Sequence, residues 1–90
     1  MTGKISAAQL RAARALLRWT ALDLAKASKV GVATIRRVEV IDGEISSTAA
    51  NQAALRRALE AAGVEFIDEN GGGAGVRLRK PSDKGSKKTK

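Results

Sequence analysis

The sequence has no cysteine and no histidine. Without them there is no disulfide framework, no ordinary zinc site and no imidazole base, and a reducing cytoplasm suits the chain. Aromatics are scarce too: Trp19 and Phe66 are the only two, and Trp19 is expected in the core rather than stacked on bases. No apolar run approaches the ~20 residues of a membrane span, and the opening MTGKIS lacks the apolar heart of a signal peptide. The acids are scattered over loops and helix exteriors, with no carboxylate pair for acid and base work, so neither an enzyme nor a bound metal or cofactor is expected. Seventeen of the apolar residues are alanine. Ninety residues allow one domain, and a core so rich in alanine is thin and needs closely packed helices.

What is abundant is positive charge, a net +8 that is unevenly placed. Residues 1–37 carry eight basic side chains against Asp23 alone, a net +7; residues 38–69 carry two against seven acids, a net −5; residues 70–90 carry seven against Asp83, a net +6. A surface that only has to stay solvated mixes its signs. Separation of this kind points to an anionic partner for the first lobe, above all a phosphate backbone.

Within that lobe, residues 19–39, WTALDLAKASKVGVATIRRVE, have the pattern of two short helices meeting at a sharp turn. Leu24, Ala25, Val30, Ile35 and Val38 would face one another, with Ala25 small at the crossing and Val30 filling the turn. Thr20 caps the first of the two helices, Asp23 suits its positive end, and Trp19 can staple on Leu24. The other face of the second helix then holds Val32, Ala33, Arg36 and Arg37, two small residues and two guanidinium groups with no acid between them. Such a face suits the major groove of DNA.

The stretch resembles the helix-turn-helix of the phage Cro and repressor proteins, the XRE family, on four positions: Thr20 at the cap, Ala25 early in the first helix, Ile35 ten residues on and Val38 three later. The resemblance covers roughly residues 6–62. It implies a mostly α fold, a four-helix Cro/repressor-like helix-turn-helix domain in residues 1–63, with a reading helix at 32–40. It also implies that Val32, Ala33 and Arg37 touch base edges, with Arg36 one turn after Val32 reaching a base or a phosphate. Arg14, Thr20, Ala21, Lys29 and Thr34 would lie along the DNA backbone. Arg14 holds the place of an arginine that, in the phage repressors, pairs with a glutamate closing the reading helix; that glutamate matches Glu39. Three positions depart from the pattern. Ala21 stands where the family has a glutamine that contacts phosphate, Lys29 stands at a turn position usually given to glycine, and Gly31 caps the reading helix in place of Ser or Thr. A lysine held at positive φ costs on the order of 1 kcal/mol, and the glycine cap loses a few tenths.

The remainder of the chain can be read from its residues. Ser6 and Gln9 form a capping box, Ile5 can staple on Leu10, and Leu10, Ala13, Leu16 and Leu17 make an apolar stripe at helical spacing. Arg11, like Arg14 and Arg18, lies off that stripe. Residues 41–47 read as a loop around an Asp-Gly turn. A longer helix starts near Thr48 and stops before Gly63, with Leu55, Ala58, Leu59 and Ala62 on one face. After Gly63 the period becomes alternating: Val64 and Phe66, then Val76 and Leu78, predict a C-terminal two-stranded β-ribbon over 64–79, joined by a glycine-rich loop with an Asn-Gly turn. An isolated hairpin is marginal in water, so the ribbon must pack on the last helix or on a second copy. On the second choice Leu55, Leu59, Val64, Phe66, Val76 and Leu78 form a dimerisation surface. Residues 80–90 lack apolar side chains and are expected to be a disordered basic tail.

Together these readings, with the resemblance, lead to the expectation of a cytoplasmic, nucleoid-associated DNA-binding regulator, a homodimeric repressor on an inverted repeat of double-stranded DNA. A different outcome is an antitoxin or adaptor that grips a protein partner, a toxin or polymerase, through the ribbon or tail. No membrane contact is expected.

Overall fold

In the computed structural model, which describes residues 5–40, 48–68 and 71–79, four helices precede a small antiparallel sheet. They are α1 (Ala7–Leu17), α2 (Ala21–Ser28), α3 (Val32–Glu39) and α4 (Ala49–Ala61), followed by β1 (Val64–Ile67) and β2 (Gly75–Leu78). The expected loop at 41–47, the Asn70 half of the ribbon turn and the basic tail lie outside the described residues.

Three of the four helices, α1, α2 and α4, begin where a side chain satisfies a free amide of the first turn. Ser6 Oγ accepts from the Gln9 amide and Gln9 Oε1 accepts from the Ser6 amide, both at 3.0 Å. At α2 the box is equally complete: Thr20 Oγ1 accepts from the Asp23 amide at 3.0 Å and Asp23 Oδ2 from the Thr20 amide at 2.9 Å. Thr48 caps α4 through the Asn51 amide at 3.0 Å. The ends are as defined as the starts. Arg18 (φ 60°) and Lys29 (φ 66°) both take the left-handed conformation after α1 and α2, and Gly63 (φ 109°) does so after α4. Of these, Arg18 was not foreseen; its amide and that of Trp19 donate to Ala15 O and Arg14 O and close α1 tightly.

One buried cluster joins the helices to the ribbon. Ile5, Leu10, Leu24, Ile35, Val38, Leu55, Leu59 and Val64 are all at most 1% exposed, with Val30 in the turn and Phe66 at the rim. Trp19 and Ala25 pack against that cluster as partly buried neighbours. Leu16 does not join it. About 120° of helix rotation separates it from Leu10, and it remains 39% exposed.

The two strands pair Val64 with Leu78, Glu65 with Arg77, Phe66 with Val76 and Ile67 with Gly75. The ribbon packs on its own chain, β1 against α4 and both strands against α1. This corrects the expected dimerisation surface: Leu55, Leu59, Val64 and Phe66 are spent inside one chain and have no area to offer a second copy. Only Val76, half-buried, and Leu78, about half exposed, keep apolar area outside. Gln9 locks the arrangement. Its Nε2 donates to Gly75 O at 3.0 Å and to Ile67 O at 3.4 Å, tying the first turn of α1 to both strands from a buried position.

Candidate nucleic-acid interface

The turn between α2 and α3 is Lys29, Val30 and Gly31. Lys29 bends the chain by adopting φ 66°, ψ 22°, and its amide closes α2 on Ala25 O at 2.8 Å. Val30 is buried as the plug of the turn, and its amide donates to Ser28 Oγ at 3.2 Å. Gly31 starts α3 with no side-chain cap; its carbonyl accepts from the Thr34 and Ile35 amides, both at 3.1 Å.

Ile35 and Val38, both fully buried, fix which way α3 faces. Ala33 and Arg37, one turn apart, are exposed; Arg36 is exposed beside them; Val32 and Thr34 are half-buried at the margins. Neither Arg36 nor Arg37 has a hydrogen bond or ion pair among the described residues. An unpaired guanidinium keeps all five donors available, in a planar fork that matches either two phosphate oxygens or O6 and N7 of guanine.

The far end of α3 is held by α1. Arg14 Nε and Nη2 donate to the two carboxylate oxygens of Glu39, each at 2.8 Å, and Nη1 donates to Trp19 O, also at 2.8 Å. Glu39 is buried, and the pair pushes the Arg14 pKa upward, its hydrogen bonds to the carboxylate outweighing the effect of burial. Arg11 Nη1 donates to the backbone carbonyl of Glu39, so it stoppers a helix end, where the last carbonyls have no partner within the helix. Two arginines on α1 therefore hold both the side chain and the main chain of one residue.

This geometry redistributes the candidate phosphate contacts. Arg14 has each of its three nitrogens engaged once by protein, so its first part is to hold α3, and one N–H on each of Nη1 and Nη2 is left for a phosphate. At the start of α2, Thr20 Oγ1 and the Thr20 amide are taken by Asp23, whose pKa is lowered first by the Thr20 amide and then by the Thr20 hydroxyl. The carboxylate sits where an incoming phosphate would gather, leaving the amides of Ala21 and Leu22 as first-turn donors without a partner among the described residues. Lys29 remains exposed and Thr34 half-exposed beside α3. Arg11 and Gln9 are the residues that sequence reasoning missed. The spacing in a single helix gives no sign that a side chain reaches a backbone carbonyl 28 or 66 positions away.

Among the described residues no three His, Cys, Asp or Glu side chains gather as a metal would require. No described helix is long and apolar enough to cross a membrane. In comparisons with known proteins, no family model matches the sequence, and no curated protein matches it.

Proposed function

We propose that this chain is a sequence-specific DNA-binding transcriptional regulator that lays Val32–Glu39 in the major groove and represses by occluding a promoter. The observation that carries the reading is the outward side of α3. It joins small residues, Val32 and Ala33, to two exposed arginines without partners among the described residues, on a helix held at its far end by a bidentate ion pair. The small residues allow close approach or touch a thymine methyl, and a guanidinium reading guanine contributes about 1–3 kcal/mol of discrimination. Lys29, Thr34 and the first-turn amides of Ala21 and Leu22 supply the backbone contacts that fix register without reading sequence. The +7 charge of residues 1–37 supplies the long-range attraction.

The resemblance to the XRE family adds the expectation of two copies on an inverted repeat, their reading helices about 34 Å apart. No catalysis is assigned. Electrophoretic mobility shift tests the reading: the wild type is expected to retard a duplex it has selected, with an affinity that falls steeply with salt. The Arg36→Ala, Arg37→Ala double variant is expected to lose preference for that duplex over random DNA. Equal retention by both proteins argues instead for a fold that binds a protein partner.

A further inference from the structure

A groove lies between the end of α2 and the side of α4. It exists because the facing side chains are short. Ala54, Ala58 and Ala61 follow one face of α4 at spacings of four and three, opposite Ala27 of α2, and the open space is about 340 Å³. That is the low end of the ~300–1,000 Å³ typical of small-molecule sites.

Three polar groups line the same groove: Ser28, Lys29 and Arg57. Ser28 is only 8% exposed. Its Oγ accepts from the Val30 amide, yet its own proton meets no acceptor among the described residues. The Lys29 ammonium and the Arg57 guanidinium are exposed cations with no hydrogen bond or ion pair among those residues, and no acid lines the groove. Every polar side chain here can give a proton, and an apolar wall stands beside them.

We propose that this groove binds a small organic carboxylate. The compact apolar body lies on the alanines, and the carboxylate accepts from the Ser28 hydroxyl, Lys29 Nζ and the Arg57 guanidinium. The end of α2 presents a partial negative charge of about half a unit, which the two full positive charges outweigh. Lys29 also belongs to the turn that leads into α3. On the DNA-binding reading, on which this last step rests, a carboxylate held there neutralises one cation the duplex would use and so weakens duplex binding.

The test is an amide-shift titration of the ¹⁵N-labelled full chain with sodium benzoate at constant ionic strength, with benzamide as the neutral control. Benzoate is expected to move the amides of residues 27–29 and 54–61 saturably, and benzamide is not. Arg57→Met is expected to weaken benzoate about tenfold, the loss of one charge-assisted hydrogen bond. Ala61→Leu, at an exposed position, fills the groove without touching the core and is expected to weaken it as much. An unmoved spectrum, an equal response to benzamide, shifts spread over all basic positions including Arg36 and Arg37, or indifference to both variants each overturns the proposal. Duplex binding with and without benzoate is a separate arm: a chain that takes benzoate but no DNA keeps this site and loses the reading of α3.

Discussion

Arg14 and Glu39, 25 positions apart in the chain, meet in two parallel hydrogen bonds of 2.8 Å that join α1 to the last residue of α3. Glu39 is almost wholly covered and the Arg14 side chain is 22% exposed, so removing either partner leaves a charge in a place water reaches poorly. Arg14→Ala and Glu39→Ala are each expected to cost about 2–3 kcal/mol, at or just under the range for breaking a buried pair because Arg14 keeps some solvent. The double variant should cost clearly less than the sum of the two. Urea unfolding of all four proteins checks this, and strictly additive losses would show that the two side chains act independently.

Gln9 is expected to matter out of proportion to its size. Its amide group donates to both strands and accepts from the Ser6 amide. Gln9→Ala should cost about 2 kcal/mol, since the carbonyls it satisfies are left short of partners. Gln9→Glu should cost more at neutral pH, because it sets a carboxylate against two carbonyl oxygens. Denaturation midpoints rank the variants, and a Glu variant as stable as the wild type would contradict the geometry.

The fold was legible to different depths along the chain. The Ser6–Gln9 capping box, the Thr20 cap, the helix ending before Gly63 and the two strands carrying Val64, Phe66, Val76 and Leu78 rest on local rules, and local rules survive folding, whereas the turn position at Lys29 was read from the family pattern. The Arg14–Glu39 contact was legible only through the family resemblance, since nothing in the spacing of α1 names a partner on α3. Leu55 and Leu59 were ambiguous for a physical reason: an apolar stripe looks the same whether it covers its own chain or another. Arg11 was opaque because its acceptor is a main-chain carbonyl, which every residue possesses. Of the candidate site, the exposure of Arg36 and Arg37 followed from helical periodicity, whereas the occupation of Thr20 by Asp23 removed donors that the sequence had offered to phosphate.

Lys29 holds φ 66° without being glycine. Lys29→Gly relieves that strain and is expected to gain up to about 0.5–1 kcal/mol of stability, part of the relief being offset by the greater freedom of glycine in the unfolded chain. On the DNA-binding proposal it also removes a cation near the duplex, so affinity should fall while stability rises. Urea unfolding and anisotropy titration of one variant read the two effects, and a loss of stability would contradict the strained turn.

The carboxylate of Asp23 is held below its ordinary value of 3.8 by the Thr20 amide and hydroxyl. A group with a lowered folded pKa stabilises fully above its unfolded value and loses that contribution as pH falls through the folded one. The advantage of the wild type over Asp23→Asn is therefore expected to be constant near neutrality and to shrink as pH drops below 3.8. Urea midpoints at a series of acid pH values check this. An advantage that grows on acidification has the wrong sign for the cap.

Selection of bound sequences from a random duplex pool at near-physiological salt tests the central claim most directly. A two-fold-symmetric consensus is expected, with half-sites about 34 Å apart or a multiple of that, guanine at the Arg37 contact, and no enrichment when Arg36 and Arg37 are both alanine. A wild-type pool no different from the input, or one enriched equally by the double variant, would contradict the assignment of α3 as the element that reads DNA.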